Sequence, residues 1–315
     1  MTAVLIVLII ICLIITAAYI IGNTFFKKLI VRQDDFPTPE TGAHASSLLA
    51  PTGEELWSYN IPFFARFRAL PFEDVSITSD DGLTLHADMI RKSDTAPTVL
   101  FFHGYKASPV TDFAAMYDFY DSLGCNLIYV HMRAHGKSEG KYIGFGVLDR
   151  FDVVRWTHKA EELFPDSDIY LHGMSMGAAS VLQSADLGLS RHVRGIIADC
   201  GYSCIDTVFR NLVGKVFHMP ATPFVNIFEY VNLLKAGYGF KDADSVKSVA
   251  NTSIPIIYIC GDKDIYVPED MANAIYSACR SEKKLLMVPD TGHAACYMRA
   301  KADYERLVRQ MIEKK

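Results

Sequence analysis

The chain has 315 residues, of which 50% are apolar and 21% are charged, and its formal net charge is −5. A chain of this length and apolar content can bury a large core, which excludes an intrinsically disordered protein. The charge is only mildly negative and no block of lysine and arginine occurs, so the sequence predicts no nucleic-acid partner. These numbers favour one large α/β domain with additions.

The first segment, Ala3 to Ile21, is almost entirely apolar. As a helix it would be about 29 Å long, close to the hydrocarbon thickness of a bilayer. A cleaved signal peptide normally begins with basic residues, whereas here Lys27, Lys28 and Arg32 follow the run. The sequence therefore predicts a transmembrane anchor over residues 1–22, and the positive-inside rule places the rest of the chain on the cytoplasmic face of the membrane.

The next segment, residues 23–70, is predicted to be a linker and N-terminal extension. It is rich in proline, threonine, serine and glycine and ends in an aromatic stretch from Trp57 to Phe67. From Phe72 the pattern changes to two alternating segments, VSITS and LTLHADMI, on either side of Asp80-Asp81-Gly82. This arrangement is typical of a β-hairpin.

Six apolar runs follow the hairpin: TVLFFHG, CNLIYVHM, DIYLHGM, RGIIADC, IPIIYICG and KLLMVP. Continuous apolar runs of this length are typical of strands buried on both faces of a sheet. Helical patterns lie between them, near 112–123, near 148–163, after Met176, near 269–280 and near 297–313. The alternation predicts an α/β fold with a mostly parallel eight-stranded sheet flanked by helices.

The segment from about 201 to 250 interrupts this alternation, because it is long, aromatic and helical in pattern. We expect a small helical cap inserted between the sixth and seventh strands of the main sheet; ordinary extra helical packing is the alternative. Its apolar side chains would either form a pocket for acyl chains or only hold the cap to the core. These side chains are Phe209, Val213, Phe217, Phe224, Phe228 and Leu233.

Two segments match the pattern G-x-S-x-G, which in hydrolases places a serine on a tight turn between a strand and a helix. Ser175 follows the strand-like IYLHG and precedes a helical pattern, as that turn requires. Ser138 lies in the second match, but the chain after it reads KYIGFG and predicts no helix. Ser175 is therefore the candidate nucleophile, and Ser138 is predicted to be a structural turn serine.

At these residues the chain resembles the α/β-hydrolase superfamily, in its branch of esterases, lipases and serine-aminopeptidase-like enzymes. Residues 133–140 look like the family's R-G-H-G-x-S-x-G turn, with Ala134 in place of a glycine and His131 where many relatives have aspartate. His103-Gly104-Tyr105 stands at a strand end, where the family has half of its oxyanion hole. The resemblance implies a hydrolase domain over residues 71–315, with backbone N–H groups of Tyr105 and Met176 forming the oxyanion hole.

The family carries its catalytic acid and base after the serine, in that order. Residues 261–268 resemble its G-x-x-D-x-x-V-P motif, which implies Asp264 as the acid and leaves Asp262 as a competitor. His293 follows the strand-like KLLMVP, where the family has its base. The implied triad is Ser175, Asp264 and His293.

The resemblance implies a serine hydrolase that cleaves carboxylic esters through an acyl-enzyme, with a small acyl ester or acyl-chain substrate. The same fold also hosts thioesterases and peptidases, and a membrane-tethered binding protein without activity is a further alternative. No cofactor is predicted. No metal is predicted either, because histidines and cysteines lack ligand spacing, and the seven scattered cysteines are expected to be free thiols.

Overall fold

The computed structural model describes residues 2–33 and 53–314. The described residues form an eight-stranded sheet with the order β1-β2-β4-β3-β5-β6-β7-β8. Strand β2 pairs antiparallel with both β1 and β4, and all other neighbours are parallel. The strands are β1 (Glu73–Thr78), β2 (Thr84–Ile90), β3 (Thr98–Phe102), β4 (Asn126–Val130), β5 (Ile169–Met174), β6 (Val193–Asp199), β7 (Ile256–Gly261) and β8 (Lys283–Val288).

Both faces of the sheet are covered by helices, which explains the continuous apolar strands. Neighbouring residues of β3 show this, since Leu100 belongs to the core on one face and Phe101 to the core on the other. The predicted parallel sheet and its flanking helices are confirmed. The helices are α1 (Thr2–Leu29), α2 (Gly53–Arg68), α3 (Pro109–Phe113), α4 (Tyr117–Ser122), α5 (Asp149–Leu163), α6 (Met176–Gln183), α7 (Ile205–Asn211), α8 (Ala221–Ala236), α9 (Ser245–Val249), α10 (Glu269–Ala278), α11 (Cys296–Arg299) and α12 (Lys301–Ile312).

Helix α1 is long and apolar enough to cross a membrane, and its side chains as far as Ile21 are almost all exposed. It continues seven residues past the predicted end of the anchor, from residue 22 to residue 29. In this continuation Gly22 and Phe26 are buried, and Ile30 just after the helix is fully buried in the core. The start of the predicted linker therefore packs onto the domain that contains the sheet, and residues 34–52 lie outside the described residues.

Helices α7, α8 and α9 lie between β6 and β7, at the position of the predicted cap. The six apolar side chains singled out there divide into two groups. Phe209 and Phe228 are buried and pack on Phe240, so they hold the cap to the core. Phe217 and Leu233 are 52% and 50% exposed and take no part in that packing. Val213 and Phe224 are half-buried.

Candidate active site

Ser175 occupies a sharp turn between strand β5 and helix α6. Its backbone is strained, with φ of 53° and ψ of −110°, a region that non-glycine residues rarely adopt. The two glycines of the motif are required by close packing. A Cβ atom on Gly173 would overlap the backbone of Ala178, and one on Gly177 would overlap the carbonyl of Phe102. The turn thus projects the Ser175 side chain, which is partly exposed, from the carboxyl end of the sheet.

The structure brings the three predicted triad residues together from three separate loops. The Ser175 hydroxyl lies 2.7 Å from Nε2 of His293, and Nδ1 of His293 lies 2.6 Å from Oδ2 of Asp264. With Nδ1 donating to the carboxylate, Nε2 is left as the acceptor for the serine hydroxyl. The geometry is that of a nucleophile with an oriented general base.

The second aspartate of the acid loop, Asp262, is placed differently. Asp264 is buried, and its other oxygen accepts hydrogen bonds from the N–H groups of Tyr266 and Val267 at 2.8 and 2.9 Å. Asp262 instead accepts from the N–H of Thr291 at 3.3 Å and lies beside Lys263. Of the two, only Asp264 has a hydrogen bond to His293 among the described residues.

The electrostatic surroundings favour a protonated His293. Burial alone would lower the pKa of this imidazole, but the Asp264 carboxylate, with smaller contributions from Asp199 and Asp112, raises its pKa above the usual value. The imidazolium that forms when His293 accepts the serine proton is therefore stabilised. Asp199 ends strand β6 fully buried, and burial raises its own pKa to about 7.

The loop after β3 lies directly against Ser175. The position of a Cβ on Gly104 is 3.4 Å from the Ser175 Cβ. Oδ2 of Asp112 accepts from the Gly104 N–H at 2.7 Å, and Nε2 of His135 accepts from the Lys106 N–H at 3.1 Å. The two N–H groups that flank Tyr105 are thus fixed, which orients the peptide between them.

Met176, the other predicted oxyanion residue, begins helix α6. Its N–H belongs to the first turn of the helix, where N–H groups have no partner within the helix and carry a partial positive charge. Met176 directly follows Ser175, and Tyr105 directly follows Gly104, whose Cβ position contacts Ser175, so both N–H groups belong to segments next to the candidate nucleophile.

Asp112 and His135 hold this loop, and neither was recognised in the sequence as part of the site. Burial raises the pKa of Asp112 to about 6, against the opposing effect of the Gly104 N–H. Burial lowers the pKa of His135 to about 4, so at neutral pH its ring is uncharged and Nε2 can accept a hydrogen bond. His135 belongs to the turn of residues 133–140 and connects that turn to the loop after β3.

Ser138 lies in that turn, where its hydroxyl is hydrogen-bonded to backbone groups. It is 1% exposed, its hydroxyl donates to the carbonyl of His131, and it accepts from the His86 N–H at 2.9 Å. Arg133 fixes the turn through two hydrogen bonds to Asp152, at 2.6 and 2.7 Å. These contacts agree with a structural turn serine.

Two further histidines, His103 and His172, make structural hydrogen bonds through both ring nitrogens. Nδ1 of His103 donates to the Gly104 carbonyl at 2.8 Å, and its Nε2 accepts from the Met132 N–H at 3.2 Å. His172 is bonded on both ring nitrogens to the hydroxyls of Tyr120 and Tyr304, each at 2.8 Å.

Among the described residues, one group has the composition of a metal site, namely Cys200 with Asp264 and His293. The donor atoms do not suit a cation, because Asp264 and His293 are already bonded to each other and burial raises the pKa of the Cys200 thiol. All seven cysteines are free thiols, and five of them are buried.

Known proteins similar to this chain agree with the fold. No protein-family model matches the sequence. YqkD of Bacillus subtilis is 24% identical over 255 residues, covering 79% of this chain and 82% of its own. The Saccharomyces cerevisiae membrane protein YNL320W is 22% identical over 228 residues, covering 72% of this chain and 75% of its own.

Among solved structures, an esterase of Pyrococcus furiosus superposes with a TM-score of 0.64 at 20% identity. The superposition covers 79% of this chain and 93% of the esterase chain. A Butyrivibrio proteoclasticus protein, Est1E, solved with bound ferulic acid, superposes with a TM-score of 0.58 at 16% identity over 76% of this chain. With the strand order and the strand-to-helix turn at Ser175, these likenesses show that the chain has the α/β-hydrolase fold, preceded by an apolar helix long enough to span a membrane.

Proposed function

We propose that the protein is a membrane-anchored serine hydrolase that cleaves carboxylic esters through an acyl-enzyme. The observation that carries the proposal is the continuous hydrogen-bond chain from Asp264 through His293 to Ser175, beside a fixed oxyanion loop. An inactive binding protein would need neither the strained serine nor a buried acid aligned with the histidine.

The first half-reaction forms the acyl-enzyme. Ser175 Oγ attacks the ester carbonyl carbon while Nε2 of His293 takes its proton. The carbonyl oxygen becomes an oxyanion that accepts hydrogen bonds from the N–H groups of Tyr105 and Met176, each typically worth about 3 kcal/mol. The tetrahedral intermediate then collapses, the C–O bond to the leaving group breaks, and His293 returns its proton to the departing alcohol.

The second half-reaction repeats this chemistry with water. His293 accepts a proton from water as the water oxygen attacks the acyl carbon, and the bond to Ser175 breaks as the proton passes to Oγ. The products are a carboxylic acid and the regenerated serine. Asp264 keeps the imidazole oriented throughout and stays ionised.

Helix α1 supports the anchored part of the proposal. Its apolar length fits a bilayer, and Lys27 and Lys28 lie in its last turn. By the positive-inside rule these charges favour a cytoplasmic hydrolase domain. Protease added to intact cells should leave the domain undigested, whereas digestion from outside would reverse this topology.

A substrate series tests the ester specificity. Purified full-length protein should hydrolyse p-nitrophenyl esters of increasing chain length, and the same acyl groups as thioesters and amides define the preferred bond. Ser175→Ala should lower turnover by on the order of 10⁶ while the protein stays folded. Faster cleavage of matched thioesters would change the reaction class to thioesterase, and an unchanged rate in Ser175→Ala would end the proposal.

A further inference from the structure

Cap helix α8 packs against the membrane-side helix α1 along its length. Phe228 contacts Phe25 with ring centroids 6.1 Å apart, and Gly22 brings the two backbones close, since a Cβ there would lie 2.9 Å from Val231. Further along α8, the ammonium of Lys235 lies between two rings of α1, 5.9 Å from the ring of Tyr19 and 5.5 Å from the ring of Phe26. Residues later in α8 therefore contact residues earlier in α1, so the two helices are antiparallel.

This packing carries the end of α8 toward the membrane. If residues up to Ile21 cross the bilayer, the boundary lies near Gly22, and Tyr19 lies about 4.5 Å inside it at 1.5 Å per residue. The last turns of α8 therefore reach the headgroup level. Three large side chains in these turns point to solvent: Tyr230 is 61% exposed, Leu233 is 50% exposed and Leu234 is 61% exposed.

We propose that Tyr230, Leu233 and Leu234, here named the cap face, dock on the lipid bilayer. Burying this apolar group in lipid removes the cost of exposing it to water. The surrounding charges suit phosphate headgroups, because Lys235 lies in the last turn of α8 and Lys106 donates to the carbonyl of Lys28 at 2.9 Å, beside the end of α1. Lysines next to an apolar face are typical of proteins that lie at a membrane interface.

Helix α8, which carries the cap face, is connected to the loop after β3 by a series of aromatic ring contacts. Phe228 contacts Phe209 at 5.0 Å, Phe209 contacts Phe145 at 5.7 Å, and Phe145 stacks on Tyr105 of the oxyanion loop at 5.0 Å. The Tyr105 hydroxyl also donates to the carbonyl of Leu29 at 3.0 Å. The site is therefore held at the bilayer surface. This inference rests on the proposed function: with its active site at the bilayer surface, the enzyme takes an acyl ester that resides in the membrane as substrate.

Bromolipid quenching of tryptophan fluorescence tests the docking without any assay of activity. Full-length Leu234→Trp is reconstituted in phosphatidylcholine vesicles with or without bromine at acyl carbons 6 and 7, and the signal of the wild-type tryptophans is subtracted. Arg191→Trp is the control, since its side chain is 85% exposed and the residue precedes β6, at the amino end of the parallel strands and opposite the end that carries Ser175. We expect strong quenching at position 234 and none at 191; equal quenching at both positions would overturn the docking.

A second arm tests the substrate class. The double variant Leu233→Ser with Leu234→Ser should hydrolyse a long-chain acylglycerol in vesicles at least about tenfold more slowly, while its rate on a water-soluble acetate ester changes less than about twofold. Equal losses on both substrates would overturn the membrane-resident substrate. If the wild type cleaves neither ester, the proposed function fails, and the quenching experiment still decides the docking alone.

Discussion

Asp264 and Asp262 are two residues apart, but only Asp264 is aligned with His293. We expect Asp264→Asn to lower kcat by about 10⁴-fold, because an amide at that position favours the wrong imidazole tautomer. Asp262→Asn should retain most activity, since its carboxylate bonds to the Thr291 backbone. Steady-state kinetics on one ester compares the two variants, and a crippled Asp262→Asn with an active Asp264→Asn would move the acid upstream.

Asp112 gives the site a specific pH dependence. His293 acts as a base only when neutral, and its pKa is raised above the usual value, partly by Asp112. Activity should therefore fall as the pH drops through that raised pKa. Asp112→Asn removes a negative charge that is present above a pKa of about 6, and its amide oxygen can still accept from Gly104.

The expected result for Asp112→Asn is an acidic limb of the kcat/KM profile that moves to lower pH, because the pKa of His293 falls. Asp168→Asn, at the amino end of β5, serves as a control and should leave the profile unchanged. A limb that stays in place or moves to higher pH in Asp112→Asn would contradict the assigned electrostatic coupling.

Some residues of the site can be predicted from the sequence and others cannot. Ser175 and His293 each adjoin a strand end and a glycine, and such local context distinguishes them from other serines and histidines. Asp112 lies 8 residues after its partner Gly104 and His135 lies 29 residues after its partner Lys106, and neither stands in a recognisable acid or base motif. Their role depends on tertiary contacts that no local pattern records.

At the level of elements, the turn around Ser175 depends on the absence of a side chain at Gly177. Gly177→Ala would force its Cβ against the Phe102 carbonyl and push helix α6 away from β3. We expect the variant to lose cooperative unfolding or more than about 3 kcal/mol of unfolding free energy, as overpacking and backbone shift combine.

Gly214→Ala is the matched control, because a Cβ at that position meets nothing within 4 Å. It should unfold within about 0.5 kcal/mol of the wild type in urea. Similar unfolding midpoints for both alanine variants would show that close packing does not impose glycine at position 177.

Strands and most helices follow from the alternation of apolar runs, and the hairpin at Asp80-Asp81-Gly82 forms as predicted. The end of helix α1 cannot be predicted from the apolar runs. Hydropathy detects the apolar run and stops near residue 22, whereas the helix continues because Phe26 and Ile30 fit the core of the folded domain. The ending of that helix is determined by packing rather than by hydropathy.

At the scale of the whole molecule, the packing of Phe26 and Ile30 in the core limits how much of the N-terminal segment can be deleted without loss of stability. Deleting residues 2–21 should leave a soluble, folded domain that still hydrolyses water-soluble esters. Deleting residues 2–32 also removes Phe26 and Ile30, which are 3% and 0% exposed, and Arg32, which donates to the Gly136 carbonyl at 2.8 Å. Each lost apolar side chain costs about 1.5–3 kcal/mol, so the longer deletion should be several kcal/mol less stable.

Urea unfolding followed by circular dichroism measures the difference between the two truncations. A clearly lower midpoint for the longer deletion is expected. Equal midpoints would mean that residues 22–32 contribute nothing to the folded domain.

The central claim is that Ser175 is the nucleophile of a serine hydrolase. The most direct measurement is reaction of the full-length protein with a fluorophosphonate, followed by mass spectrometry of the labelled peptide. We predict one phosphonylated residue, Ser175, with labelling lost in Ser175→Ala and kept in Ser138→Ala. An adduct on Ser138, or no adduct on a folded wild-type protein, would contradict the account.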